Sequence, residues 1–244
     1  MESLRLWLRP AGQPIADAVH WHDAQLIDQA LALGRGLIFL TPHLGSFETT
    51  AQAYAQRYGA HKPITVMYRP ARYRVLRELE EAARARPALA TAPAAIAGVR
   101  QMLRALKRGE AVGLLPDQVP PDGLGVWADF FGTPAYTMTL AARLAQLSGA
   151  PIVLACCERL PRGRGFELRL SPLAEPLPLQ GGDAAALQLE QAEVINRAMQ
   201  QLILQCPQQY LWGYNRYKRP RGLALAAAPA ASTPDAADAP PDAR

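Results

Sequence analysis

His43 and Glu48 stand five positions apart in "TPHLGSFE", directly after the apolar run "LIFL" at 37–40. On one ideal helix, five residues set two side chains roughly 140° apart, on different faces. The pair meets only if His43 sits on a loop and Glu48 lies in the first turn of the helix that follows. Gly45 can supply that turn and Ser46 the N-cap, and the helix N-terminus favours the Glu48 carboxylate. A carboxylate that fixes one imidazole tautomer makes the histidine a general base. No serine or cysteine accompanies them in a nucleophile motif, and G-x-S-x-G is absent. The proton removed by His43 then comes from the substrate, such as an acceptor hydroxyl. Direct transfer of an activated acyl or phosphoryl group fits this better than covalent catalysis. The plain alternative is a turn histidine bonded to backbone, the commoner fate of an isolated His-x4-Glu. No second histidine or carboxylate stands at metal-ligand spacing, so no metal site is expected.

The elements that would position these residues follow from the apolar pattern. "LIFLT" reads as a short buried strand, and a helix runs from Ser46 to about Tyr58. "PITVMYR" is a second strand and "AVGLLP" a third, ending at Asp117 and Gln118. Residues 14–36 read as a helix closing on Gly34 and Gly36, and "ARYRVLRELEEAARA" as a charged helix. Further helices are expected at 95–109, 137–148 and 184–205, with 119–136 a loop. "PIVLACCE", the turn "LPRGRG" and "FELRLS" read as two strands joined hairpin-fashion. Strands alternating with helices indicate an α/β fold, a single-domain sandwich with a mostly parallel sheet flanked by helices. Loops after strands carry the ligand sites of such sheets, which singles out His43, Arg69 and Asp117.

Composition narrows the classes. Half of the 244 residues are hydrophobic, enough for one large core, and the net charge is +5. The basic residues are unevenly placed: eight Lys/Arg against three Glu lie between Arg57 and Arg86, and Arg216, Lys218, Arg219 and Arg221 fall within six positions. Such patches attract phosphate, whether from nucleic acid, anionic lipid or a small ligand. Nucleic acid is the weaker reading, because no recognised motif or stacking platform accompanies the charges. Cys156, Cys157 and Cys206 give no disulfide framework and read as buried thiols. No stretch has the ~18 consecutive apolar residues of a membrane span, and "MESLRLWLRP" has no signal-peptide layout. The organisation expected is an extension over 1–14, a domain over 15–221, and a disordered Ala/Pro/Asp-rich tail over 222–244.

Five ordered blocks resemble the lysophospholipid acyltransferase superfamily, and within it the lipid A biosynthesis acyltransferases. "TPHLGSFE" is similar to the H-x4-[D/E] motif and "VMYRP" to an arginine-bearing strand end. "GVRQMLRALKRGEAVGLLPDQ" resembles a helix–strand–Asp-Gln block, "VWADFFGTPAYT" the F-F-G segment, and "QYLWGYNRYKRP" the closing W-x4-R-x-K block. The resemblance covers about 15–221 and implies a glycerolipid-acyltransferase-like α/β domain. It implies that a fatty acyl chain moves from acyl carrier protein, or coenzyme A, to a hydroxyl of a phosphorylated glycolipid acceptor. His43 would be the base and Glu48 its orienter, with no metal or organic cofactor. Arg69, Asp117, Gln118, Arg216 and Lys218 would contact substrate or support the base, and a plain basic surface is the alternative for the last two. Phe130, Phe131 and Gly132 would pack and wall the acyl channel, and Trp212 would lie in the core or at a membrane interface.

The resemblance also implies a place at the inner membrane. Typical members begin with a membrane-embedded helix that this sequence does not match. Peripheral attachment at the cytoplasmic face would then rest on basic patches, apolar loops and Trp7. "HLGSFE" stands where relatives often carry Asn-Trp before the acid, which leaves other glycolipids, lysophospholipids and lipoamino acids open as acceptors. A non-catalytic lipid- or carrier-binding homologue is the competing class, and retention of both His43 and Glu48 argues against it.

Overall fold

Leu37–Leu40 forms strand β2, and all four residues are buried. Each such side chain taken from water stabilises the fold by roughly 1.5–3 kcal/mol, which explains why the run lies at the centre of a sheet. In the computed structural model, residues 6, 8–10, 12–15, 18–68, 73, 75 and 86–222 are described. They form a seven-stranded sheet in the order β1-β9-β8-β2-β5-β3-β4. Its members are β1 (Val19–His22), β2, β3 (Ile64–Tyr68), β4 (Leu89–Pro93), β5 (Ala111–Leu114), β8 (Ile152–Arg159) and β9 (Phe166–Pro172). Strands β8, β2, β5, β3 and β4 run parallel, while β9 is antiparallel to β8 and carries β1 parallel to itself.

Helices cover both faces. Helices α1 (Gln25–Ala32) and α2 (Phe47–Tyr58) bury Ile27, Ala30 and Tyr54 against one face. Helices α3 (Ile96–Lys107), α4 (Leu140–Ser148) and α5 (Ala184–Gln205) pack on the other around Met102, Leu144 and Ile195. The result is the single-domain α/β sandwich with a mostly parallel sheet that the pattern indicates. Asp183 caps α5, its carboxylate accepting from the backbone of Ala185 and Ala186. No helix among the described residues is long and apolar enough to cross a membrane.

Three local assignments differ from the sequence reading. Residues 14–36 are not one helix: Val19 and Trp21 alternate inward with His20 and His22 outward, and the segment adds β1 to the sheet edge before α1 begins. Leu89–Pro93 pairs with β3 as a strand, where no element was expected. The expected loop 119–136 holds most of a hairpin, β6 (Gly125–Phe130) and β7 (Thr133–Met138). Phe131 (φ 52°) and Gly132 (φ 75°) both take positive φ between the strands, as a two-residue turn of the primed type requires. The charged segment from 71 to 85 and the tail from 223 lie outside the described residues, apart from Tyr73 and Val75.

Candidate active site

Strands β2 and β5 are parallel neighbours whose last paired residues are Leu40 and Leu114. His43 and Asp117 each follow three residues later, so equal offsets from a shared register bring them together at the carboxyl ends of the strands. The His43 Nδ1 lies 2.7 Å from Asp117 Oδ1. The His43 backbone N–H donates to the second carboxylate oxygen, Oδ2, at 2.8 Å. One buried carboxylate thus grips both the ring and the main chain of the histidine. Because Nδ1 faces an acceptor, its proton stays there and Nε2 carries the lone pair. The Gln118 side-chain amide, 3.1 Å from Nε2, satisfies that lone pair.

The loop is built for this placement. Gly45 has φ +56°, and a Cβ at that position would come within 2.1 Å of the Cys157 carbonyl oxygen. The Ser46 N–H donates to the same oxygen at 2.7 Å, clamping the loop onto β8. Ser46 occupies the N-cap position of α2, yet its hydroxyl meets Thr49 Oγ1 at 2.7 Å in place of a capping bond to the helix backbone. The Phe47 ring stands edge-on to the imidazole at 5.0 Å.

The closing block supplies a second clamp. Leu44 and Tyr210 form an isolated antiparallel bridge. The Leu211 N–H donates to the His43 carbonyl at 3.0 Å and the Gly45 N–H to that of Gln209 at 3.1 Å. The Tyr210 hydroxyl bonds Asp117; burial first, and then the neighbouring carboxylate, push that phenol well above its ordinary range and keep it neutral. The Tyr214 hydroxyl accepts from the Val119 N–H at 2.9 Å, which fixes the chain just beyond Gln118.

The residues picked from sequence divide accordingly. His43, Asp117 and Gln118 form one hydrogen-bonded cluster. Glu48 lies in the first turn of α2 and, with His43, lines a cavity, but the carboxylate on His43 Nδ1 is that of Asp117, where Glu48 was expected. The cause is register: a loop residue beside β5 is held by the residue leaving β5. Arg69 lies outside the described residues. Arg216 is buried, being only 3 % exposed, and does not line the cavity beside His43. Its guanidinium donates to the Tyr136 carbonyl and to Thr137 Oγ1, at 2.8 and 2.7 Å, and stacks 5.1 Å from the Phe130 ring centroid. Burial disfavours its charge and, to a lesser degree, Asp117 favours it; its bonds tie the closing block to β7. Lys218 is exposed and rests over the Tyr214 ring at 4.2 Å. Trp212 is exposed too, its indole N–H held by the Pro207 carbonyl. Sequence reasoning missed Tyr210 and Tyr214, whose only signal was their place in the closing block.

A cavity of about 1450 Å³ opens beside the imidazole, with more apolar than polar lining. Its walls fall into two sets on opposite faces of the sheet. Phe39, Ile64 and Leu89, all buried, lie on the α2 face. Met67, Val99 and Leu103 lie on the face covered by α3 and α4. A space of this size and lining can hold a largely apolar ligand beside the imidazole.

The family model described as bacterial lipid A biosynthesis acyltransferase matches residues 1–219. The lipid A biosynthesis lauroyltransferase of Escherichia coli (strain K12) is 29 % identical over 206 residues, 84 % of this chain and 61 % of that protein. The palmitoleoyltransferase of the same organism is 28 % identical over 210 residues, 83 % of this chain and 63 % of its own length. A lipid A biosynthesis acyltransferase of Shigella flexneri matches equally, at 28 %. The chain spans about three fifths of the length of these relatives.

Proposed function

The chain belongs to the bacterial lipid A biosynthesis acyltransferase family, and from that premise we propose that it transfers a fatty acyl chain from a thioester to a hydroxyl of a lipid A precursor. The observation that carries this reading is the His43 imidazole, fixed through Nδ1 by Asp117 with Nε2 turned to an apolar cavity. The donor is acyl carrier protein, with coenzyme A as the alternative carrier of the same thioester.

In the proposed step, the acceptor hydroxyl displaces the Gln118 amide from Nε2 and gives its proton to His43. The oxygen forms a bond to the thioester carbonyl carbon, and the electron pair moves to the carbonyl oxygen. The displaced Gln118 amide, already beside the reacting atoms, donates to that oxyanion. The intermediate collapses by breaking the C–S bond, and the imidazolium returns its proton to the departing thiolate. Atoms and charges balance with no further reactant. Asp117 stabilises the imidazolium, and the buried Arg216 ties the closing block, which carries Tyr210 and Tyr214, to the hairpin through Tyr136 and Thr137. Glu48, on the cavity wall, positions the acceptor hydroxyl. Arg69, the residue after Tyr68 in the sequence, engages the acceptor phosphate, for which a guanidinium fork is suited. Work takes place at the cytoplasmic face of the inner membrane, with the protein attached peripherally.

The test is a panel of donors and acceptors supplied to the purified protein in detergent. Acyl carrier protein and coenzyme A thioesters are each paired with a phosphorylated lipid A precursor, a lysophospholipid and a lipoamino acid. Transfer to the lipid A precursor is expected. Transfer only to another lipid would retain the base and discard the assigned acceptor.

A further inference from the structure

Helices α3 and α4 pack side by side, and neither contains an acidic residue. Arg100, Arg104 and Lys107 recur along the exposed side of α3 at helical spacing, and Arg143 is exposed on α4. None of the four forms an ion pair among the described residues, whereas Arg197 on α5 is paired with Glu175 and Glu193. Beside these cations stand three large apolar side chains in water: Ile96 is 73 % exposed, Leu124 59 % and Leu147 58 %. The Leu124 carbonyl accepts from the Thr139 N–H at the start of α4, which seats it at the helix end. All three apolar residues line the same cavity that reaches His43.

Unpaired cations interleaved with exposed apolar side chains match an anionic bilayer: phosphates meet the arginines, and the apolar tips enter the headgroup boundary. Continuity with the cavity matters equally. A lipid carrying long chains that entered through water would expose every methylene on the way, whereas a mouth pressed on the bilayer spares it that exposure. We propose that the α3–α4 face is the surface by which this protein sits on an anionic membrane, with the cavity mouth opening directly into the lipid. The lipid-acceptor half of this rests on the function proposed above; the docking of the face does not.

The test separates the two. The protein over residues 1–244 is sedimented with vesicles of phosphatidylcholine alone or of phosphatidylcholine with phosphatidylglycerol, at low and high salt. Binding to the anionic vesicles, weakened by salt, is expected. Arg104 and Lys107 do not line the cavity, so Arg104→Glu/Lys107→Glu leaves transfer in detergent intact. It should weaken vesicle binding by at least about 25-fold, taking roughly five-fold per cation. Ile96→Ser/Leu147→Ser should weaken it by roughly ten-fold or more. Arg164→Glu, on the β8–β9 turn, should leave it unchanged. Equal binding by wild type and both double variants overturns the proposal, as does an equal loss from Arg164→Glu. A raised KM for the carrier-protein thioester with vesicle binding unchanged would make this face a carrier dock and also overturn it. Failure of transfer in detergent with vesicle binding intact would count against the proposed reaction alone.

Discussion

Asp117 holds His43 twice, through the ring at Nδ1 (2.7 Å) and through the backbone N–H (2.8 Å), and it leaves only Nε2 facing the cavity. The imidazole therefore has one tautomer and one orientation before any substrate arrives.

Asp117→Asn should lower kcat by about 10³–10⁴ with little change in KM, because an amide can donate to Nδ1 and turn the proton to the wrong nitrogen. Glu48→Gln should act differently, raising the KM for the acceptor more than it lowers kcat. Steady-state kinetics of the two variants, with circular dichroism to verify folding, distinguishes them. An equal loss of kcat in both would restore Glu48 as the orienter.

Gly45→Ala should remove activity and lower the melting temperature together. The positive φ costs of order 1 kcal/mol for a residue bearing a Cβ, and the clash with the Cys157 carbonyl forces the His43 loop off β8. Thermal unfolding and a transfer assay on the same sample test this.

Arg216→Met should destabilise the fold by roughly 1.5–3 kcal/mol, because it removes charge-assisted hydrogen bonds to the buried Tyr136 carbonyl and Thr137 hydroxyl. Lys218→Ala should change stability by less than about 0.5 kcal/mol. Denaturant unfolding measures both. A substrate-binding Arg216 would instead raise KM and leave the unfolding midpoint in place.

Stability should fall in alkali. Burial raises the phenol of Tyr210 and the thiols of Cys156 and Cys206 above their ordinary values of 10 and 9. The folded state keeps these protons while the unfolded chain releases them. The unfolded state then binds fewer protons, so the free energy of unfolding falls from about pH 9 upward and continues to fall until the folded groups also ionise. Unfolding midpoints measured from pH 7 to 11 should show this, and Tyr210→Phe should flatten the upper part of the slope.

Much of this arrangement is legible in the sequence, because its signals are local. "LIFL" and "AVGL" are continuous apolar runs, so their ends, and with them His43 and Asp117, could be placed on one side of a parallel sheet. What stayed hidden was non-local. Strand order decides that β2 and β5 are neighbours, and only then do the equal offsets of His43 and Asp117 make them partners. An i to i+5 spacing drew attention to Glu48 for lack of that information. Arg216 reads from sequence as a substrate-contacting or surface cation because it stands in a basic run with Lys218 and Arg219; its burial depends on the β6–β7 hairpin and α5 closing over it. The hairpin left a legible trace, a Phe-Gly pair between alternating residues, which a Pro-rich approach obscured. Strand β4 left almost none, since "LATAP" is short and ends in proline.

The most direct test is single-turnover transfer of a radiolabelled acyl group from acyl carrier protein to the lipid A precursor, by wild type and by His43→Ala. With Nε2 as the base, the variant should lose at least about 10²–10⁴-fold in rate while its melting temperature holds. Transfer by His43→Ala at the wild-type rate would contradict the account at its centre.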